Sequence, residues 1–322
     1  MYRCKTKFEI YLFLPFLFIL LHFGFAMGAE KFPTKPIRLI SHQAPGSMND
    51  LSCRMLSNPL SKTLGVPIVV ENKPGGGGGI GADYVAKSKP DGYTILSGAN
   101  ASVILVPIVQ SIYKLQDFRP ICLFGRVPTL IIVRADSPYK NIDDLVNFGK
   151  KNPGKLTIGS IGQGSYAHFT AEIFKAKSGI KMDTVPFNSP SSASTALLGG
   201  HIDMLVDTLA AVRGVTESKM VRPLLVVPKT LFLPDVPSFD EKGFSGVVGI
   251  WLGYFVPSGT PEPVVQKLFQ AFESATRSPS VVSQAEKLGI TLDFVEGQKF
   301  YQDILVEYKA VEETAKKMGL AK

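Results

Sequence analysis

Residues 37–41, IRLIS, form a short apolar run that breaks at Pro45-Gly46. Asn49-Asp50 then opens a stretch with apolar residues at Leu51, Met55, Leu56, Leu60 and Leu64. The run reads as a buried strand and the stretch after it as an amphipathic helix. A strand that feeds a helix through a Gly-containing turn leaves backbone N–H groups unpaired at the positive end of the helix dipole. Such an end accepts a carboxylate or a phosphate. Pro59 is expected to kink or divide this helix, and Gly65 stands where a left-handed closing residue is wanted.

The chain has 322 residues, enough for two α/β domains or one large one. A hydrophobic content of 45% against 19% charged residues is that of an ordinary globular protein. Arg3, Lys5 and Lys7 precede an apolar block at 10–23, and Gly24, Ala26, Gly28 and Ala29 follow it. This is the pattern of a secretory signal peptide, with cleavage expected between Ala26 and Glu30. The block is shorter than the roughly 20 residues a spanning helix needs. Pro15 and His22 interrupt it, and no Cys stands at its end to carry a lipid. Removal of residues 1–29 takes away Arg3, Lys5, Lys7 and Glu9 and lowers the formal net charge from +8 to +6. A mildly cationic exported protein suits an acidic small molecule, among other ligands. Lys and Arg are scattered without a basic run, which argues against nucleic acid. Cys53 and Cys122 make at most one pair, and two buried thiols are expected.

Strand and helix patterns alternate along the rest of the chain. Strands are expected at 66–71, 94–98, 119–124, 129–134, 156–160, 184–187, 203–206 and 223–227. Helices are expected at 82–88, 142–150, 166–177, and from Ser189 to about Gly199-Gly200. A long apolar run, VVGIWLGYFV at 247–256, precedes helices at 261–274 and 281–288, a strand at 291–294 and a closing helix at 299–317. Two such series imply an α/β fold of two lobes, each a mixed, mostly parallel sheet flanked by helices, joined by two crossing strands. Residues 129–134 would carry the chain out and 247–256 would bring it back.

Catalytic motifs are scarce. Gly76-x-Gly78-x-x-Gly81 formally matches a dinucleotide fingerprint, but five successive glycines match almost any glycine pattern, and no acid stands near Ala101 to hold a ribose. The plainer reading is a turn that lets the backbone pass close to a neighbour. Ser165 and His168 could meet across a helix start, as a nucleophile and base or as a cap and a helix-face residue. Asp207 stands at the carboxyl end of a strand, where ligands collect in open α/β sheets, or it caps the helix that follows. No His/Cys cluster has metal-ligand spacing. The design of 45–50 recurs at Gly162–Tyr166, GQGSY, again a strand, a Gly-containing turn and a helix start. If the two turns face each other across a cleft, one anion can bridge them.

At this point the residues resemble a known family. Residues 37–54, 71–83 (ENKPGGGGGIGAD), 89–98 (KPDGYTILSG), 152–168 (NPGKLTIGSIGQGSYAH) and 197–207 (LLGGHIDMLVD), then 233–237 and 255–261, resemble the Bug-type (TctC-like) solute-binding receptors of tripartite tricarboxylate transporters. The resemblance implies the two-lobed type II periplasmic-binding-protein fold, a Venus flytrap that closes on a small carboxylate and delivers it to a large and a small membrane subunit. It implies no enzymatic activity, no cofactor and no metal. Carried over by position, the first ligand loop falls on Ala44–Asp50 and the second on Gly162–Ser165, with Asn100 and Asp207 lining the cleft. The sequence departs from the family pattern at Ser47, in place of the second glycine of Pro-Gly-Gly. His42 replaces an aromatic residue, and Phe187-Asn188-Ser189 replaces Tyr-Lys-Gly.

The reading is an exported, periplasmic, monomeric receptor for a small organic anion, with residues 1–29 as signal peptide, 30–127 plus 250–322 as one lobe and 128–249 as the other. Its expected ligand-binding residues are His42, Ala44, Gly46, Ser47, Asn49, Asp50, Asn100, Gly162, Gly164, Ser165, Tyr166, Asn188 and Asp207. The rival readings are a ligand-presenting sensor for a membrane kinase and a secreted hydrolase built on Ser165 and His168.

Overall fold

In the computed structural model, which describes residues 32–161, 165–244, 249–317 and 319–321, the chain divides into residues 1–34 and 35–322. The expected signal peptide lies outside the described residues, as do Gly162, Gly164, Val247 and Val248.

The second unit opens with β1 (Ile37–Ser41), four of whose five side chains are buried. Helix α1 (Met48–Leu64) follows, buries Cys53, Met55, Leu56, Leu60 and Leu64, and closes on Gly65 at φ 73°. It starts one residue before the expected Asn49, because Ser47 takes the cap and its hydroxyl accepts the Asp50 N–H. Pro59 does not divide it: the helix runs through to Leu64, and only the Met55 carbonyl loses a helical donor. Next come β2 (Ile68–Asn72), α2 (Gly79–Ala86) and β3 (Thr94–Ala99). A π-helical turn at Ala101–Leu105 then runs into α3 (Val106–Gln110), a segment the apolar pattern did not reveal.

Strand β4 (Phe118–Val127) passes through Pro128 into β5 (Thr129–Arg134). The following elements are α4 (Ile142–Lys151), β6 (Leu156–Ile161), α5 (Tyr166–Ser178), β7 (Met182–Phe187), α6 (Pro190–Leu198), β8 (Met204–Thr208), α7 (Leu209–Glu217) and β9 (Val221–Val227). Strand β10 (Ile250–Pro257) precedes α8 (Glu262–Thr276), α9 (Pro279–Lys287), β11 (Thr291–Glu296) and α10 (Gly297–Lys317).

Two sheets result. One has the order β11-β4-β10-β3-β1-β2 and the other β7-β6-β8-β5-β9. Parallel pairing is confined to β2–β1–β3 and β7–β6–β8, and the remaining neighbours are antiparallel. The sheets are therefore mixed as expected: four of the six strands in the first and four of the five in the second point the same way, although only four of the nine neighbouring pairs are parallel. The reason is the pair of passages between sheets: β5 and β10, each entered directly from the other sheet, run against the βα series, as β11 does, so β4 and β9, which run with it, also meet antiparallel neighbours. Residues 129–134 lie wholly in the second sheet, so the outward passage is at Pro128.

Strand β5 shows why its sequence, TLIIVR, is almost continuously apolar. Ile131 and Val133 enter a core with Phe174 and Phe239 on one face, while Leu130 and Ile132 enter a core with Leu197 and Val212 on the other. The first sheet packs Ile40, Leu96, Trp251, Phe255, Phe300 and Ile304 together, and Phe169 of α5 joins that cluster. Cys53 and Cys122 are free and buried, and burial pushes the Cys53 thiol up to about 12.

A Cβ at Gly253, in the middle of β10, would lie 2.6 Å from Cε1 of Phe300. Gly253→Ala should therefore destabilise the protein by about 1–3 kcal/mol, read as a lower urea midpoint at unchanged m-value.

Candidate functional site

A cavity of about 330 Å³ lies between the sheets, and residues of both line it. Four helix starts reach its wall. Helix α1 contributes Met48 and Asn49, α5 contributes Ser165, Tyr166 and Ala167, α6 contributes Pro190, and α7 contributes Thr208 and Ala211. Each of these helices begins at a hydroxyl cap in extended backbone: Ser47, Ser165, Ser189 and Thr208 accept N–H groups of Asp50, His168, Ser192 and Ala211 respectively. Side-chain caps satisfy only part of each helix end, so the remaining N–H groups and the dipoles make this wall electropositive. Among the described lining residues there is no Lys, Arg or His.

The first loop is held from below. Asp50 Oδ2 accepts the Gly46 N–H at 2.8 Å and Oδ1 accepts the Asn72 amide at 2.9 Å, while Arg54 pairs with both oxygens. Burial works against the Asp50 charge, but the Arg54, Gly46 and Asn72 hydrogen bonds outweigh it and hold the carboxyl below its ordinary value. Asp50 is thus a brace under the turn, whereas Asn49 lies on the cleft wall and donates to Ser97 O at 3.2 Å.

Asn100 lines the cleft with its amide already engaged. Its Oδ1 accepts the Trp251 N–H at 2.9 Å, and its Nδ2 donates to Glu307 Oε1. Tyr166 donates its hydroxyl to the same Glu307 oxygen at 2.7 Å, and the Trp251 indole donates to Oε2 at 2.8 Å. Burial raises the Glu307 carboxyl above its ordinary value although three donors favour the charge. Glu307 left no sequence signal beyond a charged residue at a helix-core position.

His42 lies on a neighbouring cavity of about 410 Å³, with Ala44, Ser165, Tyr166 and the glycine run. Its Nδ1 is 2.7 Å from Ser97 O, which makes Nδ1 the protonated nitrogen, and Nε2 is buried without a partner among the described residues. Burial lowers its pKa to about 4. The glycine run is explained by this ring: a Cβ at Gly78 (φ 97°) would strike His42 Cδ2, and one at Gly81 would lie 2.9 Å from His42 Cα. Ser165 donates to the Ile161 carbonyl and accepts the His168 N–H, so its hydroxyl works as a helix cap. The His168 Nε2 lies 3.9 Å from Glu172.

Of the expected residues, the cleft gathers Asn49, Asn100, Ser165, Tyr166 and Asp207, and the neighbouring cavity gathers His42 and Ala44. Gly46, Ser47, Asp50 and the exposed Asn188 line neither. Gln43, Thr129, Pro190 and Thr208 are cleft residues that the sequence did not single out. Thr208 was findable, since a Thr directly after a buried strand is a cap signal. It, and not Asp207, caps α7; Asp207 Oδ1 instead accepts the Thr208 N–H at 2.7 Å.

Burial raises the Asp207 carboxyl from 3.8 to about 6, against the Thr208 hydrogen bond. Between pH 4 and 6 the native state therefore keeps a proton that the unfolded state has released, and wild-type stability falls as pH rises through that window. Asp207→Asn should stabilise the unliganded protein by on the order of 2–3 kcal/mol at pH 7.5, with the gain vanishing near pH 4. His42 acts in the opposite sense. Its depressed value makes the unfolded state the proton binder between pH 4 and 6.5, so its contribution is full above that window and lost as pH falls. His42→Gln should remove a decline of about 2 kcal/mol between pH 7 and 5. Thermal unfolding of both variants across pH checks the two signs.

The receptor model of the tripartite tricarboxylate transporter family matches residues 52–320. The chain is 30% identical over 272 residues to Protein BugT of Bordetella pertussis, covering 82% of this chain and 83% of that protein. Its fold is similar to that of a TctC solute-binding protein from Polaromonas, with a TM-score of 0.82 at 26% identity over 89% of this chain and 99% of that one. It is also similar to an R. palustris protein solved with adipate, with a TM-score of 0.71 at 28% identity over 90% of this chain and 99% of that one. The chain belongs to the receptor family of the tripartite tricarboxylate transporters.

Proposed function

We propose that this protein is an extracytoplasmic receptor that captures a small organic acid between its two lobes and hands it to the large and small membrane subunits of a tripartite transporter. The observation that carries the reading is the convergence of four helix starts on one cleft with no cationic side chain among its described lining residues. Backbone donors and dipoles bind an anion there without the desolvation cost of a buried Lys or Arg. The volume of about 330 Å³ suits a ligand of adipate size, and adipate is the acid bound by the R. palustris relative. In this reading residues 30–127 with 250–322 form one lobe and 128–249 the other. The mature chain, freed of residues 1–29, works as a periplasmic monomer by domain closure, without covalent chemistry, cofactor or metal. Asn49, Ser165 and Tyr166 present the two jaws to the ligand, with Asn100 and Asp207 between them. His42 and Ala44 extend the site toward the neighbouring cavity, and Gly162 and Gly164 contribute backbone from the second loop. Gly46, Ser47 and Asp50 shape the first loop from behind.

Thermal unfolding of the mature protein with a panel of mono-, di- and tricarboxylates tests the reading. A cognate acid at a hundred times its Kd should stabilise by about 2.7 kcal/mol, while neutral sugars and polyamines should not. Stabilisation by sugars or cations, with none by any acid, would overturn it. Asp50→Ala removes the brace under the first loop and should weaken acid binding about fivefold to tenfold, the equivalent of ~1 kcal/mol. Unchanged affinity would remove that loop from the site.

A further inference from the structure

The polar atoms of the cleft do not all balance. Asp207 is 6% exposed, at the end of β8, and its Oδ1 is taken by the Thr208 N–H. Its Oδ2 is buried and accepts no hydrogen bond among the described residues. Helix capping does not explain the carboxylate, because the Thr208 hydroxyl already fills the cap of α7. Thr129 lies on β5, paired in register with Thr208, and is 1% exposed. Its hydroxyl is also buried without a partner among the described residues, and it also lines the cleft. Buried acceptors are nearly always paired, so two orphans on one binding cavity mark places where something else completes the bonding.

Charge narrows what that something is. With no Lys, Arg or His on the described lining, and with the Tyr166 hydroxyl given to Glu307, Asp207 is the acidic group facing the cavity. A ligand carboxylate held by the helix starts then shares a small, poorly hydrated space with a second carboxylate. The two repel unless a donor stands between them. We infer that the ligand carries, besides the carboxylate that the helix starts hold, a hydroxyl or ammonium group that donates to Asp207 Oδ2, so that the receptor selects hydroxy or amino acids over the plain acids of the same length. Thr129 Oγ1 supports the same group or a neighbouring oxygen. The inference rests on the carboxylate reading of the cleft.

Isothermal titration of the mature protein with matched sets tests it: at each chain length from three to six carbons, the plain acid, its hydroxy derivative and its amino derivative. At the length that binds, one donor-bearing acid should bind at least tenfold tighter than its plain parent, because the parent leaves a buried acceptor unpaired. In Asp207→Asn, which keeps an oxygen for the Thr208 N–H, that ratio should fall below threefold. Thr129→Val should reduce the ratio in part and serves as the second variant should Asp207→Asn not fold. A plain acid that binds as tightly as both derivatives, or a ratio unchanged by Asp207→Asn, overturns the inference and leaves the carboxylate reading standing. Binding of no acid of any set overturns both.

Discussion

The arrangement of the cleft depends on one buried carboxylate. Glu307, 3% exposed on α10, accepts from Tyr166 at the start of α5, from the Trp251 indole on β10 and from Asn100 after β3. These donors come from both halves of the molecule, and Asn100 closes the circuit by accepting the Trp251 N–H. A buried charge is tolerated only when its lone pairs are filled, and removing one donor leaves the rest of the circuit exposed to the full desolvation cost. The network therefore fixes where α5 begins relative to α10. Phe169, one turn further along α5, packs with Trp251, Phe300 and Ile304 and extends the polar tie with an apolar one. The helix start that faces the ligand is thus anchored in the opposite core.

That anchoring matters to the proposed function, in which the cleft binds with backbone. A Lys or Arg can swing to meet an anion, but a helix end is only as well aimed as the helix that carries it. The four hydroxyl caps set the first turn of each helix, and the Asp50 brace sets the loop before α1. Position is supplied by the scaffold and charge by the peptide dipoles, so the lining side chains are left to choose among acids. Mobility of the lobes would then change the site by moving whole helix starts together or apart, which is what closure on a ligand requires.

How much of this was legible depends on the length scale of the signal. The alternation of apolar runs and helical patterns located most strands and helices, because each carries its own periodicity. Of the Gly-turn-helix designs at 45–50 and 162–166, Asn49, Ser165 and Tyr166 line the cleft, because a helix start is also marked locally, by its cap and turn residues. Strand direction was less legible, since nothing local in TLIIVR says from which end β5 enters its sheet. The segment at 101–110 was missed because a π turn followed by a short helix breaks the 3.6-residue period. Glu307 was invisible because its meaning comes from Asn100, Tyr166 and Trp251, which are as many as 207 residues away in the chain. The glycine run shows the converse: its pattern was obvious and its cause, the His42 ring beneath it, was not.

His42 and Asp207 pose the same energetic question. Each is a buried titratable group with an unpartnered atom, and each is held far from its ordinary pKa by burial. Neither arrangement is what stability alone would favour, since an apolar residue or an amide at either position would avoid the cost. Their costs fall on opposite sides: the histidine penalises acid conditions, and the aspartate penalises neutral and alkaline ones. Between pH 4 and 6 the two contributions oppose each other, and the fold retains two polar atoms at the edge of its cavities. The His42 cost is explained within the protein by its Ser97 contact and the glycines packed on its ring. The Asp207 cost has no such internal explanation, because its cap role is filled by Thr208. What remains to balance it is a bond made only when the cleft is occupied.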